Sequence, residues 1–424
     1  MRKIHSLSTC LWIAAMLLSA CAPPAASANL AASEKQREMN PPVLEGDVQD
    51  LVDGNNSFAL DLYQAVRSES GDLILSPYSI SLALAMTYAG ARGETESQME
   101  NVLHFTQGQF PTHYSFNALD LGLTQRGEAL DEEQEPMKLN IANAVWAEQT
   151  YPFLQEFLDT LAVNYGAGMY LADFINQFEP ARLTINDWVS ERTEDRIKDL
   201  LPENSINPNT RMVLVNAIYF KADWLEQFDA DSTRDGVFHL LDGSTSTVQM
   251  MNNGMYVPYM QGSGYQAIEL PYAGGTAAMN IIVPDEGNFE AFESSFDKKT
   301  YDRIITDMQP VSVELGMPKF EFDKGTNLSD ILKGMGMSDA FDPDKADFSG
   351  MTGNKDLFIS DAFHKAFVAV DEAGTEAAAA TAVIMGVTSA PMFDVTLQID
   401  RPFIFIIRDI VSGQILFVGR VLNP

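Results

Sequence analysis

Cysteine is almost absent from this 424-residue sequence. The only two are Cys10 and Cys21, both near the start, so the rest of the chain has no pair with which to form an internal disulfide. A chain of this length can bury a sizeable core, and its stability must therefore come from packing rather than from cross-links.

Basic residues are also scarce, with 27 Lys and Arg against 59 Asp and Glu, which gives a formal net charge of −32 at pH 7. Binding of nucleic acid through its phosphates needs clustered Lys and Arg, so we expect no nucleic-acid partner. The acidity favours basic protein partners, but it is equally typical of a feature that keeps a protein soluble.

Motifs that carry catalysis, phosphate binding or metal binding are missing as well. The sequence contains no G-x-S-x-G, H-E-x-x-H, P-loop or G-x-G-x-x-G pattern. The histidines beyond the first 20 residues show no metal-ligand spacing: His104, His113, His239 and His364. We therefore expect no enzyme, no cofactor and no metal. His364 lies in an apolar strand-like segment, which predicts a hydrogen-bonded core histidine.

The apolar run near the start, Leu11–Leu18, is too short to span a bilayer. The letters LSAC at residues 18–21 follow it and resemble a bacterial lipoprotein cleavage box. Residues 1–20 are therefore predicted to be a signal peptide and Cys21 the lipidation site, with a plain secretory signal as the alternative. We expect an exported protein that its lipid anchors to a membrane at the cell envelope or surface, or one that is extracellular.

The remaining chain divides into a short leader and one large unit. Residues 21–47 are rich in Ala, Pro, Ser and charge without apolar periodicity, which predicts a flexible tether. Beyond them, helical patterns concentrate early and strand patterns late. This distribution predicts a single α+β domain over residues 48–424 rather than alternating βαβ units.

Several local patterns predict helix boundaries. Ser76 suits a helix N-cap, and Pro77 suits the first helical position because its missing N–H needs no partner there. Thr95–Gln98 has the capping-box pattern and predicts another helix start. Further helices are predicted over Leu183–Leu201 and Lys324–Met335.

The most unusual stretch runs from Glu372 to Pro391, with the sequence EAGTEAAAATAVIMGVTSAP, between two apolar, strand-like segments. A long connection of this kind in a compact domain is typically functional or disordered. Its alanine run is compatible with a helix, with a linker, or with a strand that must fit into a crowded sheet. Composition alone does not decide among the three.

The motifs around this stretch favour the third of these, a strand that enters a sheet, because they resemble one family. AVDEAGTEAAAAT at Ala369–Thr381 resembles the hinge of the reactive loop in serpins, the serine protease inhibitor family. LSPYSISLALAMTYAGARGET at Leu75–Thr95 resembles the family's helix B region, and LVNAIYFKADWLEQF at Leu214–Phe228 resembles its strand 3 of sheet A. Further segments follow in family order: VQMMNNGMYVPY, ELPYAGG, ISDAFHKAFVAV, RPFIFIIRD and LFVGRVLNP. Each motif is weak alone, but together they cover residues 48–424.

The resemblance implies the serpin fold, with three β-sheets, about nine helices and an exposed reactive-centre loop at about residues 372–393. It implies a hinge whose small side chains allow the loop to enter sheet A: Glu372, Gly374, Thr375, Glu376, Ala377, Ala378, Ala379, Ala380 and Thr381. Strand alternation from Thr375 directs Thr375, Ala377, Ala379, Thr381 and Val383 toward the core and Glu376 outward. The resemblance also implies a shutter, a polar cluster beneath the centre of sheet A: Ser76, Ser79, Asn216 and His364.

The activity implied by the family is suicide inhibition of a serine-type endopeptidase, which becomes the covalent partner of an otherwise monomeric protein. Two family spacings place the scissile bond at Thr388–Ser389, with Val387 and Met385 as the runners-up. A small, uncharged Thr388 after Val387 suits the pocket of elastase-like or subtilisin-like proteases better than that of trypsin-like ones.

Two alternatives stay open on sequence alone. A serpin fold also occurs in non-inhibitory carriers, chaperones or binding modules, although their hinges tend to contain charged or bulky residues or proline. Ser76 or Ser79 with His364 is compatible with a nucleophile and its base, but no orienting acid or oxyanion motif accompanies them.

Overall fold

Two hydrogen-bonded β-sheets and the helices packed against them make up the described part of the chain. The structure is a computed structural model that describes residues 29–126, 137–375 and 392–424. Its α-helices are α1 Asp47–Val66, α2 Pro77–Tyr88, α3 Gly93–Leu103, α4 Gln109–Arg126, α5 Gln155–Tyr165, α6 Phe178–Arg192, α7 Phe289–Ser295, α8 Lys298–Asp307, α9 Ser329–Met335 and α10 Ser349–Thr352, with 3-10 turns at Ala230–Ser232 and Asp339–Phe341. Its strands are β1 Asn29–Ala31, β2 Leu73–Leu75, β3 Lys138–Glu148, β4 Met169–Ala172, β5 Met212–Asp223, β6 Arg234–His239, β7 Thr245–Gln261, β8 Tyr265–Pro271, β9 Ala277–Pro284, β10 Gln309–Pro318, β11 Phe320–Asn327, β12 Asp361–Val370, β13 Gly374–Thr375, β14 Val395–Gln398, β15 Phe403–Asp409 and β16 Ile415–Val421.

Sheet A has seven strands in the order β1-β4-β3-β5-β13-β12-β11. Its central strand β5 is buried over nearly its whole length, as expected for an apolar strand covered on both faces. β5 pairs antiparallel with β3 on one side and parallel with β12 on the other. The two-residue strand β13 lies between β5 and β12 beside Ala222; this end of sheet A is called the hinge end below, and the end at Met212 the distal end.

The second sheet, sheet B, has the order β14-β10-β7-β8-β9-β15-β16-β2, with β6 paired to β7. Three sheets were expected, whereas hydrogen bonds among the described residues connect two. The reason is the 17-residue strand β7, which pairs with β6 and β10 along most of its length and with β8 at its end, over Tyr259–Gln261. One long strand thus joins two ladders. The predicted α+β class is confirmed.

Helix α2 forms the centre of the core. Every one of its residues is buried, as expected for a helix that is apolar on all sides. It lies against β3 and β5 of sheet A and against β16 of sheet B. The predicted start is confirmed, because Pro77 is the first helical residue and the Ser76 hydroxyl accepts a hydrogen bond from the Ser79 N–H at 3.4 Å.

Three predicted helix boundaries are wrong. Helix α3 begins at Gly93, and Thr95 lies inside it, where its hydroxyl accepts a hydrogen bond from the Asp347 N–H instead of capping the helix. The residues predicted to begin the Lys324–Met335 helix belong to strand β11, and only its second half, α9, is helical. Helix α6 ends at Arg192 rather than near residue 201.

The early end of α6 has a backbone cause. Glu194 and Asp195, just after it, have φ values of 50° and 63°, in the left-handed region that terminates a right-handed helix. The chain then returns along α6, and the Asn186 side chain pairs with both backbone groups of Leu201. The apolar periodicity of the sequence after Arg192 therefore comes from the packing of this returning segment and does not indicate a longer helix.

The flexible tether expected over residues 21–47 is wrong for residues 29–46. Asn29–Ala31 form β1, the edge strand of sheet A, and pair antiparallel with β4. The following residues lie on α4 and α5, where the Glu38 N–H donates to the Val163 carbonyl at 2.9 Å. This segment binds through its backbone and polar side chains, and such contacts leave no apolar periodicity in a sequence.

The Arg37 side chain connects this segment to helix α4. Its guanidinium donates to Asn117 Oδ1 at 2.7 Å and to Asp120 Oδ2 at 2.7 Å. Asp120 also accepts a hydrogen bond from the buried Tyr78 hydroxyl at 3.1 Å. Burial and the neighbouring Asp120 raise the pKa of Tyr78 well above its usual value, so the phenol stays neutral and donates its proton to this carboxylate.

Replacing Arg37 is expected to destabilise the native protein. Arg37→Ala removes two charge-assisted hydrogen bonds and leaves Asp120 without its cation, at a cost of about 2 kcal/mol. Thermal unfolding of the variant is the measurement. Lys35→Ala is the matched control, because the Lys35 side chain is 60% exposed and pairs with Asp159 at the surface; it should leave the midpoint unchanged. Equal midpoints for wild type and Arg37→Ala would contradict the docked position of this segment.

Candidate functional site

The first hinge residues lie inside sheet A. Thr375 pairs with Val370 of β12 on one side and with Ala222 of β5 on the other, and Gly374 pairs with Asp223. β13 runs antiparallel to both neighbours, which are parallel to each other. The reactive loop was expected to be exposed from residue 372 onward, and this expectation is wrong for residues 373–375, all of which are buried.

Small size is required at Gly374 and Thr375. A side chain at Gly374 would overlap the Ala222 carbonyl and the Asp223 backbone, so only glycine fits between the strands. Thr375 is 1% exposed, and its hydroxyl lies 2.7 Å from the buried Tyr272 hydroxyl. Its strand neighbours Ala222 and Val370 belong to the main core, so Thr375 faces the core, as strand alternation predicted.

An aromatic pair holds the hinge in place. Trp224 stacks on Tyr272 with ring centroids 4.6 Å apart and an interplanar angle of 7°. The indole N–H of Trp224 donates to the Asp371 carbonyl at 3.0 Å, and its backbone N–H donates to the Ala373 carbonyl at 2.8 Å. Burial raises the pKa of Tyr272 well above its usual value, so its hydroxyl stays protonated and hydrogen-bonded to Thr375.

Glu372 fixes the outer side of the hinge. Its carboxylate accepts a hydrogen bond from the Thr233 hydroxyl at 2.6 Å and forms an ion pair with Lys319 at 2.5 Å. Burial alone would raise the pKa of Glu372, but the hydrogen bonds from Lys319 and Thr233 outweigh it and hold the pKa below its usual value. The Glu372 carbonyl also accepts from the Phe228 N–H at 2.9 Å, so the chain is held on both sides just before it enters sheet A.

The other predicted loop and anchor residues lie outside the described part of the chain. These are Cys21, Glu376, Ala377, Ala378, Ala379, Ala380, Thr381, Met385, Val387, Thr388 and Ser389. Their roles stay predictions.

The four predicted shutter residues lie together under the centre of sheet A. Asn216 of β5 and His364 of β12 are direct cross-strand partners, and the His364 Nδ1–H donates to Asn216 Oδ1. The Asn216 amide donates to the Ser79 hydroxyl at 2.6 Å. The Ser76 N–H donates to His364 Nε2 at 3.2 Å. The cluster therefore connects α2 to both strands between which β13 enters.

Asn143 of β3 also belongs to this cluster and was not predicted. Its Oδ1 accepts hydrogen bonds from the Ser79 hydroxyl at 3.0 Å and from the Asn216 amide, and its amide donates to the Ser79 carbonyl at 2.9 Å. The sequence does contain a signal for Asn143, because an asparagine in the middle of the apolar segment IANAVW needs a buried hydrogen-bond partner.

His364 is held as one neutral tautomer. Its Nδ1 donates to Asn216 and its Nε2 accepts from the Ser76 N–H, so a second proton on Nε2 would face another donor. Burial lowers the pKa of His364 to about 3. Neither serine forms a nucleophile–base pair with His364, because the Ser76 hydroxyl donates to the Leu416 carbonyl at 2.7 Å and the Ser79 hydroxyl donates to Asn143 Oδ1 at 3.0 Å.

We expect acid to loosen the contact between β5 and β12. The His364 pKa is about 3 in the native state and about 6.5 in the unfolded chain. Its stabilising contribution is therefore complete above pH 6.5 and is lost as the pH falls toward 3, with a slope of about 1.4 kcal/mol per pH unit. Hydrogen exchange of β5 and β12 amides between pH 7 and pH 4 is the measurement.

Two variants separate this local effect from general acid unfolding. His364→Gln should flatten the pH dependence of exchange in β5 and β12, because Gln does not titrate. His113 is also buried, with its pKa lowered to about 3, but it lies on α4 between Tyr165 and Gln109. His113→Gln should keep the wild-type pH dependence in β5 and β12. An unchanged profile in His364→Gln would contradict the role assigned to His364.

Below β13, sheet A is closed. β5 and β12 pair directly from Tyr219 and Phe367 down to Val213 and Asp361. A segment that continues β13 toward the distal end would replace this parallel pairing by two antiparallel ones. No group of His, Cys, Asp and Glu suited to a metal ion occurs among the residues described here, and no described helix is long and apolar enough to cross a membrane.

Comparison with known proteins agrees with this architecture. The Serpin family model, described as serine protease inhibitor, matches residues 53–424. An uncharacterised serpin-like protein of Thermococcus kodakarensis is 39% identical over 90% of this chain and 87% of its own. The human leukocyte elastase inhibitor is 36% identical over 89% of this chain and 100% of its own. The chain therefore belongs to the serpin family, whose members are generally protease inhibitors rather than enzymes.

Solved serpin structures share the fold. The native state of the thermophilic serpin tengpin matches with a TM-score of 0.81 and 28% identity, covering 94% of this chain and all of its own. Uncleaved ovalbumin matches with a TM-score of 0.78 and 28% identity, covering 88% of this chain and all of its own.

Proposed function

We propose that this protein is a suicide inhibitor of serine proteases, whose reactive loop inserts into sheet A after cleavage. The single observation that carries the proposal is the position of Gly374 and Thr375. They form a strand antiparallel to both β5 and β12, so insertion has a defined direction and register before any cleavage occurs.

The chemistry of trapping belongs to the protease. The protease's serine oxygen attacks the carbonyl carbon of Thr388, and the bond to the nitrogen of Ser389 breaks. The serine proton passes through the protease's histidine to the new amino group of Ser389. An ester joins Thr388 to the protease, and water would hydrolyse it unless insertion is faster.

The register of β13 defines the inserted state. Thr375 pairs with Ala222 and Val370; continued antiparallel to both strands, this register brings Thr381 between Asn216 and His364. Those two residues lose their mutual hydrogen bond when the strands part. Thr381 supplies a hydroxyl at that level, whereas its inward neighbours Ala379 and Val383 have none, so the polar inserting residue meets the polar shutter.

The energy of insertion comes mainly from the backbone. About ten residues after Thr375 would each pair on two sides, while the single β5–β12 ladder is lost. The net gain is on the order of ten hydrogen bonds at about 1 kcal/mol each. That total is comparable to the whole stability of a typical domain, about 5–15 kcal/mol, and is sufficient to drag and distort an attached protease.

Thr388 supports elastase-like or subtilisin-like targets, since their pockets take small uncharged side chains. The test is incubation with elastase, subtilisin and trypsin, followed by denaturing gel electrophoresis. We expect a covalent band at the summed mass with elastase or subtilisin and none with trypsin. Cleavage of the loop by all three without such a band would refute inhibition and favour a binding or carrier role. Sequencing of the released fragment distinguishes Thr388 from Val387 and Met385.

We also propose that residues 1–20 are removed and that Cys21 carries a lipid which anchors the protein in a membrane of the cell envelope. Cys21→Ser should abolish lipid labelling and release soluble protein, because no other cysteine follows residue 20. Membrane fractionation of wild type and variant is the measurement. Unchanged membrane association of the variant would contradict the anchor.

A further inference from the structure

Strand β1 determines where the N-terminal segment joins the folded domain. Asn29 pairs with Leu171 of β4, Leu171 with Ala147 of β3, and Ala147 with Met212 of β5. Asn29 is therefore level with the first residue of β5, at the distal end of sheet A. β1 runs antiparallel to β4 and β4 parallel to β3, so the chain before Asn29 leaves the sheet at its distal end.

The hinge lies at the opposite end. Thr375 pairs with Ala222, ten residues along β5 from Met212, which corresponds to about 33 Å at 3.3 Å per residue. A group attached to the chain shortly before Asn29 is therefore held near the end of sheet A that is farthest from the hinge.

The reach of the attachment is short. Cys21 precedes Asn29 by eight positions in the sequence, and eight fully extended residue steps span at most about 29 Å. A membrane attached at Cys21 must therefore lie within about 29 Å of Asn29.

Loop insertion would bring the protease to this same end. Thr388 follows Thr375 by thirteen residues, or about 43 Å of extended strand, so its inserted position lies about 10 Å beyond Met212. β1 is four strand spacings from the inserted strand, a lateral distance of about 19 Å. The attachment point and the trapped protease would thus be close neighbours.

We infer that the distal end of sheet A is the membrane-facing surface of the anchored protein, and that the membrane and the trapped protease compete for the space there. This inference rests on the proposed inhibitory function and on the proposed lipid at Cys21. With the domain upright, at most about 20 Å separates Thr388 from the membrane, whereas a compact domain of about 230 residues is about 45 Å across. The anchored molecule must tilt or lift before insertion is complete.

The competition has a kinetic consequence. A tilt or lift that insertion requires adds to the insertion barrier, while hydrolysis of the acyl-enzyme is unaffected. A larger share of the inhibitor is then cleaved without trapping, so the number of inhibitor molecules consumed per protease rises. A longer attachment removes the conflict, because the protease then fits between domain and membrane.

The experiment uses the chain from residue 21 onward, whose only thiol is Cys21. Cys21 is coupled to a maleimide lipid in phosphatidylcholine vesicles, or blocked with N-ethylmaleimide and mixed with the same vesicles. A matched variant carries 40 Gly/Ser residues between Ala28 and Asn29, which can extend by about 130 Å and so allow a gap wider than a protease. The stoichiometry of inhibition is measured for each form with the protease that gives the covalent band in solution.

We expect the short attached form to consume about threefold or more inhibitor per protease relative to its blocked form, and the long attached form to return to within about twofold of its own blocked form. Equal stoichiometries for the short attached and blocked forms would overturn the inference and leave the inhibitory function intact. A rise that persists with the long attachment would also overturn it, because distance would not be the cause. Absence of any covalent complex in solution would instead refute the proposed function itself.

Discussion

A Thr375→Arg variant is expected to be cleaved by the target protease without trapping it. Thr375 is the residue at which insertion has already begun, and its side chain is buried against Tyr272. Burial of a guanidinium at this position without a carboxylate partner costs several kcal/mol. Every 1.4 kcal/mol that enters the insertion barrier slows insertion about tenfold, so hydrolysis of the acyl-enzyme wins.

Two controls separate this mechanism from a general effect on the loop. Glu376→Arg introduces the same charge one residue later, on the outward face by strand alternation, and should keep nearly wild-type inhibition. Thr375→Val keeps the volume and loses only the hydroxyl, so it should stay an inhibitor. The stoichiometry of inhibition against one elastase-like protease is the measurement. Wild-type stoichiometry for Thr375→Arg, or equal failure of both Arg variants, would show that the assigned alternation is wrong.

Cleavage of the loop near Thr388 by a protease that is not trapped is expected to raise thermal stability sharply. The freed segment then continues β13 between β5 and β12 and pairs its backbone on both sides. A net gain on the order of 10 kcal/mol corresponds to a rise in the melting midpoint on the order of 20 °C. Melting curves of intact and cleaved protein are the measurement.

The Thr375→Arg variant serves as the control for this prediction too. Its cleaved form should gain much less, because the guanidinium obstructs the first step of insertion. Equal midpoints for intact and cleaved wild type would mean that the loop does not insert, and a binding or carrier role would then be favoured. An equal rise in wild type and variant would mean that the stabilisation arises elsewhere than in sheet A.

Motif resemblance predicted the fold and brought the main site residues into view, because these residues belong to long apolar segments with few compatible arrangements. Ser76 caps a wholly buried helix and Ser79 lies in it, while Asn216 and His364 lie on buried strands. Buried polar groups need partners, so four of them in segments that must pack together end in one cluster. Asn143 lies in the middle of the 11-residue strand β3 and follows the same rule, although it was not predicted.

Other features could not be predicted, because they depend on contacts between distant segments. The docking of Arg37 on Asn117 and Asp120 follows no periodic pattern. Burial of Thr375 depends on a gap between β5 and β12 that exists only at the hinge end. The end of α6 is determined by the left-handed backbone of Glu194 and Asp195, two residues that helix propensity does not mark as breakers.

The most direct test of the central claim is intact mass spectrometry of the product formed with an elastase-like protease under denaturing conditions. We expect one covalent species with the mass of the protease plus the inhibitor up to Thr388, together with a released peptide of residues 389–424. Two separate proteins, with the inhibitor merely cleaved or untouched, would contradict it.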